Sequence, residues 1–295
     1  MALLIDPPRW PAHGTIWSHL VSDHALMELH EFAQRAGIPY RGFDHDHYDV
    51  PAERYRDVVE LGAEPVSATD LVRRLLDSGL RVTRKDRTLS RAAALGEAHA
   101  RWAGLLPGHP ELGQELLARW REPHRHYHDI RHLAHCLTAL DDLSGGQLDR
   151  PVALAAWFHD VVYRGTATDE AASAALAEDW LPDVVGRVEA AEVARLVRLT
   201  ASHDPAPEDE RGRLLSDSDL SILGVSEGRY HVYLRDVRLD FAHVPDDAFF
   251  PGRRHVVEAL LAKAPLFRTH RGFDRWEEAA RGNLLRELAA LDRIR

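Results

Sequence analysis

The residues best suited to chemistry lie where polar side chains interrupt apolar sequence in the second half of the chain. His128 and His132 are four residues apart, a spacing that would place both on one face of a predicted helix. His159–Asp160 interrupts the apolar segment AAWFHDVVY, also predicted to be helical. In LLSDSDLSILG, Asp217 and Asp219 are two candidate carboxylates on a third helix.

A bound divalent cation would explain these interruptions. A carboxylate that is buried without a partner is strongly destabilising, and a metal ion coordinated by imidazole nitrogen and carboxylate oxygen removes that penalty. The alternative is three unrelated buried polar groups, each satisfied by hydrogen bonds. The order His, His-Asp, Asp over three helices favours the metal.

These side chains need a helical scaffold, which the periodicity of the sequence predicts. From residue 89 onward, apolar residues recur at helical spacing, most clearly in 110–120, 130–140, 194–202, 255–267 and 283–294. The stretches 204–212 and 244–252 are rich in Pro, Gly and acidic residues and are predicted loops. We therefore predict an all-α domain over residues 89–295.

Residues 1–88 are predicted to form a small α/β domain, so that the whole fold is mainly α. The boundary should fall between Thr83 and Ala100. Ser22 is the predicted N-cap of the first helix. The predicted elements are a strand at 2–6, a helix at 22–37, a strand at 38–43, a polar loop at 45–51, helices at 52–61 and 68–78, and a strand at 80–84.

Composition excludes several classes of protein. No apolar run approaches the roughly 20 residues of a membrane helix, and the N-terminal apolar stretch ends too early for a signal peptide. The formal net charge of -10 disfavours binding to nucleic acid. The single cysteine, Cys136, suits a reducing cytoplasm, where we expect the protein. Lys85 and Lys263 are the only lysines among 37 basic residues, so an individual Arg is weak evidence for a phosphate site.

The order of these motifs in an all-α domain resembles the HD superfamily of metal-dependent phosphohydrolases. Residues from about 100 to 295 are similar to the bacterial branch of predicted HD phosphohydrolases. The YHxxxH spacing also resembles the start of the cyclic-nucleotide phosphodiesterase site. The stretches that carry the resemblance are EPHRHYH, HLAH, AAWFHDVVY, TDEAASA, LTASH, SDSDLSILG, GRRHVVEALL and EEAARGNLLREL.

The resemblance implies a role for each matching residue. His132, His159 and Asp160 would be metal ligands, and His128 would be the general acid. The last aspartate of the superfamily usually precedes an apolar residue, which favours Asp219 over Asp217 as the fourth ligand. That choice is open from the sequence.

Three further residues are candidates. Arg125 could clamp a phosphate, although an Arg in this sequence is more often a solvated helix residue. Glu170 resembles an acid of the family pattern that could orient water or substrate; alternatively it is an acidic residue favoured by a helix N-terminus. His203 lies where some superfamily members bind a second metal. Since dinuclear members usually have two extra histidines in this interval, we expect one divalent ion, with a second possible through His203.

The resulting hypothesis is an enzyme that hydrolyses a phosphate ester, with a nucleotide or a related small phosphorylated molecule as substrate. Metal-activated water would attack, and His128 would protonate the leaving group. The alternatives are a nucleotide-sensing module that uses the same pocket without turnover, and a dinuclear HD-type oxygenase. No motif identifies the metal, the substrate or the oligomeric state.

The N-terminal domain resembles an uncharacterised bacterial domain through LLIDPP, WSHLVSD, ELHEFA and FDHDHYDVP. That resemblance implies no activity. Polar residues that could converge at one edge of a small sheet, as ligands of a metal or phosphate, are Asp6, His19, Asp23, His30, His45, His47 and Asp49. The alternative is a polar rim on an interaction module.

Overall fold

The computed structural model describes residues 2–12, 14–84, 86–147 and 149–294. The chain divides into two compact units. The first contains the residues up to Arg87 together with Ser226–Arg235, and the second contains Thr88–Val225 and the residues from Asp236 onward. The boundary predicted from the sequence, after residue 88, lies one residue later than the observed one, and the prediction assigns residues 226–235 to the second domain. Val232 lies in the apolar core of the first unit, a contact that helical periodicity does not reveal.

The first unit is built on a sheet of six short strands in its described residues. The strands are β1 (Leu3–Ile5), β2 (Trp10–Ala12), β3 (Thr15–Ser22), β4 (Phe43–Asp44), β5 (His47–Pro51) and β6 (Glu64–Pro65). The order across the sheet is β4-β5-β3-β1-β6, and β2 pairs with β3. β3 is antiparallel to β1 and β5, whereas β6 is parallel to β1.

Three α-helices of the first unit are α1 (Leu26–Arg35), α2 (Tyr55–Glu60) and α3 (Ala68–Asp77). Ser67 caps α3, since its hydroxyl accepts from the backbone N–H of Asp70. The helix that was predicted to start at Ser22 begins at Leu26, and the Ser22 hydroxyl accepts from the backbone N–H groups of His24 and Ala25.

Three local predictions for this unit are wrong. The predicted polar loop 45–51 contains β5, in which buried Tyr48 and Val50 alternate with the polar His47 and Asp49. That alternation is a strand pattern; its acidic and histidine residues made it look like a loop. Half of the predicted strand 38–43 is a 3₁₀ turn at 40–42, and only Phe43 lies in a strand, β4. The described residues 80–84 form no strand.

The second unit is all-helical, which confirms the predicted fold class. Helix α12 spans the division of the chain, since its residues up to Arg235 group with the first unit. The helices are α4 (Arg91–Leu105), α5 (Pro110–Arg119), α6 (Ile130–Ser144), α7 (Arg150–Phe158), α8 (Asp169–Trp180), α9 (Pro182–Val185), α10 (Arg187–Leu199), α11 (Glu210–Leu220), α12 (Glu227–Asp240), α13 (Asp246–Ala262) and α14 (His270–Leu291).

The core of the second unit surrounds α7, whose residues from Pro151 to Phe158 are all buried. A helix that is apolar on every side must lie inside the protein. The indole of Trp157 meets that of Trp102 edge-on, with ring centroids 4.9 Å apart. The indole N–H of Trp120 donates to the carbonyl oxygen of Trp157, so α7 is surrounded by packed aromatic side chains.

The predicted loop at 244–252 is wrong over most of its length, because α13 begins at Asp246 and contains Pro251. Asp246 and Asp247 lie in the first turn, where carboxylates stabilise the positive end of the helix. Within the described ranges, no helix combines the length and the apolar character that a bilayer crossing requires.

We expect Gly113→Ala to destabilise the second unit. A methyl group at this buried position of α5 would overlap the indole of Trp102, and overpacking of this kind costs about 1–3 kcal/mol. The matched control is Gly96→Ala on α4, where an added methyl group meets no atom within 4 Å and improves helix propensity by up to about 1 kcal/mol. Thermal unfolding should show a lower Tm for Gly113→Ala only; equal Tm values for both variants would contradict this packing.

Candidate metal centre

The first motif enters the site from the N-terminal end of α6. The prediction that His128 and His132 share a helix is wrong, because the helix begins at Ile130. Asp129 is its N-cap, and its carboxylate accepts from the backbone N–H of Arg131 at 2.8 Å. His128 therefore lies in the preceding turn, yet its ring centroid is 5.7 Å from that of His132.

The His-Asp motif lies just beyond the C-terminal end of α7 rather than inside it. Helix α7 ends at Phe158, and His159 is its C-cap residue. Nδ1 of His159 is 2.9 Å from the carbonyl oxygen of Ala156. Because a carbonyl oxygen can only accept, Nδ1 carries the proton and Nε2 is the nitrogen that can bind a cation.

The two candidate carboxylates of α11 have different partners. Asp219 lies beside the two histidines, with Oδ1 3.1 Å from Nε2 of His132. Asp217 instead accepts hydrogen bonds from the backbone N–H groups of Arg268 and Thr269 and from the hydroxyl of Thr269. It therefore anchors the segment that leads into α14.

Four side chains from three segments form a compact cluster: His132, His159, Asp160 and Asp219. The Nε2 atoms of the two histidines are 3.0 Å apart. Asp160 Oδ2 lies 3.3 Å from Nε2 of His159 and 3.7 Å from that of His132. The imidazoles are 1% exposed and the two carboxylates 13% and 15%. The carboxylate side of the cluster is therefore the side that solvent reaches.

The electrostatics of the cluster favour a positive charge. Burial lowers the pKa of His159, but Asp160 and Asp219 outweigh it and raise that pKa to about 9. Burial opposes ionisation of the carboxylates, yet the neighbouring histidines hold the pKa of both well below the usual value. The two carboxylates thus stabilise a positive charge in the cluster, which a protonated imidazole or a metal ion can provide.

The cluster also fits a metal ion by distance. Metal–ligand bonds of about 2.0–2.2 Å place ligand atoms about 3.0–3.4 Å apart in tetrahedral or octahedral geometry. The separations between nitrogen and oxygen atoms of the four side chains run from 3.0 to 3.7 Å. Two nitrogens and carboxylate oxygens suit a divalent transition metal.

Cys136 belongs to this group, and the sequence analysis did not include it as a ligand. Ligand atoms of His132, Cys136, His159 and Asp219 all lie within 4.8 Å of one another and could hold a metal ion. Cys136 Sγ is 3.6 Å from Nε2 of His132. Burial, together with the two nearby carboxylates, raises the pKa of this thiol well above its usual value. Its position one helical turn after His132 was the available signal.

His203 borders the cluster from the residues that follow α10. Its Nε2 lies 3.6 Å from Oδ2 of Asp219, and its Nδ1 lies 3.3 Å from the hydroxyl of Ser216. The backbone of His203 has φ 47°, a left-handed conformation that is uncommon for residues with a side chain. Burial lowers the pKa of its imidazole.

His128 is oriented by Asp240, which sequence reasoning missed. Nδ1 of His128 lies 2.8 Å from Oδ2 of Asp240. The same carboxylate accepts from the backbone N–H groups of His126, Tyr127 and His128. Burial alone would raise the pKa of Asp240, but these hydrogen bonds keep it below the usual value. Asp240 is a lone acid at the end of α12, so no local motif identified it.

Tyr163 packs on a face of the His128 ring. Its ring is stacked on that of His128, with centroids 4.2 Å apart. Its hydroxyl is buried and has no hydrogen-bond partner among the described residues. Burial raises the pKa of this phenol, so it is a neutral donor at the edge of the site.

Arg125 lies behind the site rather than in it. Its side chain is fully buried and donates to the carbonyl oxygens of His128 at 3.1 Å, of Asp160 at 2.7 Å and of Val161 at 3.1 Å. It also pairs with Glu122. These contacts join the backbones of the two histidine motifs, and a direct contact of Arg125 with phosphate stays a prediction.

Glu170 lies in the first turn of α8 and is half-buried. Burial raises the pKa of its carboxyl, and the negative charges of Asp160, Asp169 and Asp219 add to that increase. Glu170 is therefore close enough to the cluster to interact electrostatically with its carboxylates. Its predicted role in orienting water or substrate stays a prediction.

The N-terminal candidates converge only in part. Asp6, His19, His47 and Asp49 lie on one face of the sheet rather than at its edge. The other three have separate partners. Asp23 pairs with Arg74, His30 contacts Tyr48 and His231, and His45 pairs with Asp44.

Metal-dependent thermal stability should distinguish Asp219 from Asp217. A divalent ion at a hundredfold excess over its Kd stabilises a protein by about 2.7 kcal/mol, or about 5–10 °C in Tm. We expect Mn²⁺, Co²⁺ or Zn²⁺ to raise the Tm of the wild type by more than that of Asp219→Ala. Asp217→Ala should unfold at a lower temperature without metal, because it leaves backbone N–H groups unpaired, and should keep the metal-induced increase. The opposite pattern would make Asp217 the ligand.

Comparison with known proteins gives one match. A family model described as a protein of unknown function, DUF4031, matches residues 3–78. Comparison with curated proteins and with solved structures gave no match. The N-terminal unit is thus similar to a domain of unknown function, and the HD-type resemblance of the second unit stays a prediction.

Proposed function

We propose that the second unit is a metal-dependent phosphohydrolase that acts on a nucleotide or a related small phosphorylated molecule. The observation that carries this proposal is the convergence of His132, His159, Asp160 and Asp219, with donor atoms 3.0–3.7 Å apart. The order of these residues along the chain matches the HD pattern. His128 lies next to the cluster, where a proton donor would be needed.

A divalent ion held by these four residues would supply a Lewis acid for the phosphoryl group and lower the pKa of bound water. The protein's part is to hold its ligands in one geometry. The carbonyl oxygen of Ala156 fixes the His159 ring. Arg125 bonds the backbone of Asp160 to that of His128, so that ligand and acid are positioned together.

His128 is the proposed general acid. With its Nδ1 bonded to Asp240, the imidazole presents Nε2 as the nitrogen that can give a proton to the departing oxygen. The Asp240 carboxylate stabilises the protonated ring, as the third member of a catalytic triad does. Stacking on Tyr163 restricts the ring further. Glu170 is the proposed residue that orients water or substrate beside the carboxylates.

One observation favours a second cation. Nε2 of His203 faces the Asp219 oxygen that is not directed at His132, at 3.6 Å. Asp219 could then bridge two ions, the first beside His132 and His159 and the second beside His203. We propose one ion, because dinuclear members of the superfamily usually have two extra histidines in this interval and His203 is the only histidine between Asp160 and Asp217.

Substitution of the two histidines should separate acid from ligand. His132→Ala should lose the metal of this cluster and the activity, because a ligand is removed and the Asp160 charge is left poorly compensated. His128→Ala should keep its metal and lose turnover by roughly 10²–10⁴. The loss should be smaller for nitrophenyl esters, whose leaving groups need less protonation. Metal content and kcat over a series of leaving groups are the measurements.

His99→Ala, at an exposed position of α4, is the control and should change neither quantity. Loss of metal from His128→Ala would mean that the ligand assignment is shifted to the preceding turn. An equal loss for every leaving group, with metal retained, would make His128 a residue that positions substrate.

Asp240 should act only through His128. Asp240→Asn retains an oxygen for the backbone N–H groups but removes the charge that stabilises protonated His128. We expect a lower kcat with little change in KM, and we expect no further loss when Asp240→Asn is combined with His128→Ala. Additive losses in a double-mutant cycle would show that Asp240 has a separate role.

A further inference from the structure

A second group of metal-ligating side chains lies on the sheet of the first unit. His19 on β3 is directly opposite Asp49 on β5 in the antiparallel register. His47 lies two residues before Asp49 on the same strand. Because alternate residues of a strand face the same side, His19, His47 and Asp49 share one face of the sheet.

Each histidine of this group is held from behind by a buried carboxylate. Nδ1 of His19 lies 3.2 Å from Oδ2 of Asp6, and Nδ1 of His47 lies 2.7 Å from Oδ1 of Asp46. A carboxylate accepts a hydrogen bond from the Nδ1–H group, so both rings are left with Nε2 as the coordinating nitrogen. This carboxylate–histidine arrangement is the usual support of a metal ligand.

The supporting carboxylates are themselves fixed. Asp46 accepts from the backbone N–H of Val82 at 2.8 Å and pairs with Arg81 at 3.2 Å. Asp6 accepts from the backbone N–H of His19 and from the indole N–H of Trp10. Both carboxylates are almost completely buried, so each holds the position from which it accepts the hydrogen bond of its imidazole.

The two Nε2 atoms are directed at one oxygen. Asp49 Oδ1 is 3.5 Å from Nε2 of His47 and 3.9 Å from Nε2 of His19. These separations exceed the 2.7–3.2 Å of a direct hydrogen bond. They are slightly wider than the roughly 3.0–3.4 Å expected around a bound metal. A small rotation of Asp49, whose side chain is 45% exposed, would close the difference.

This face opens into a cavity of about 980 Å³. The three residues line it, together with the side chains of Trp10 and Trp17. A site with three protein ligands on one side and open space on the other leaves coordination positions for water or a small molecule. Closed structural metal sites, in contrast, use four protein ligands.

We propose that His19, His47 and Asp49 bind a first-row transition-metal dication with open coordination positions directed into this cavity. Two imidazoles and one carboxylate suit Zn²⁺, Fe²⁺, Co²⁺ or Ni²⁺, whereas Mg²⁺ and Ca²⁺ prefer oxygen ligands alone. The site is separate from the cluster of the second unit, and the proposal does not depend on the phosphohydrolase activity.

Cobalt binding to the full-length chain tests the proposal. In an Asp219→Ala background, which lacks a ligand of the second unit, Co²⁺ titration followed by visible absorption and equilibrium dialysis should show one bound equivalent. Adding Asp49→Ala or His19→Ala should weaken that binding at least a hundredfold. Adding Asp6→Asn should weaken it by about 10–100-fold, the usual effect of removing a residue that orients a ligand. Mg²⁺ should not compete.

The control is His24→Ala, at an exposed position in the same unit. Added to Asp219→Ala, it should still bind one equivalent of Co²⁺. Asp49 is the decisive position because its partly exposed side chain can be removed without opening the core. The proposal would be overturned if one equivalent of Co²⁺ still bound after Asp49→Ala and after His19→Ala. A folded Asp219→Ala protein that binds no Co²⁺ would also overturn it. If instead the wild type binds one equivalent that Asp49→Ala abolishes, the proposed phosphohydrolase centre is the one that fails.

Discussion

The second unit depends on how it compensates two carboxylates in the interior of a helical domain. Asp160 and Asp219 are ionised beside His132 and His159. Leaving one such buried charge without its partner costs about 3–5 kcal/mol. The three segments that carry these four residues must therefore meet, with their polar groups facing one another. The apolar helix α7 is long enough to carry His159 and Asp160 to this point and stops there.

Precise positioning comes from groups that never enter the site. The buried guanidinium of Arg125 joins three backbone carbonyl groups, and Asp240 collects the backbone N–H groups around His128. An irregular turn needs partners of this kind, because its backbone groups have no helix or sheet in which to bond. The turn that carries the proposed acid is thus rigid although it is outside any regular element.

Both units orient imidazole in the same physical way. An acceptor fixes the proton on Nδ1 and leaves Nε2 directed toward a carboxylate. The acceptor is a backbone carbonyl for His159 and a buried carboxylate for His19 and His47. A carboxylate acceptor makes the ring a stronger base and a better metal ligand. In each unit the histidine is a candidate ligand because the acceptor at Nδ1 orients its ring.

Periodicity and composition by themselves determined the helical class and the small α/β unit, because apolar spacing records which face of an element is buried. The polar interruptions of apolar sequence marked His159, Asp160, Asp217 and Asp219 as candidates, and the resemblance to the HD pattern implied His132 and favoured Asp219 as ligands. The tertiary structure decided the rest. It chose Asp219 by giving Asp217 other partners, and it added Asp240, more than a hundred residues from His128 in the chain. Those outcomes depend on long-range hydrogen bonds, which leave no periodic trace in a sequence.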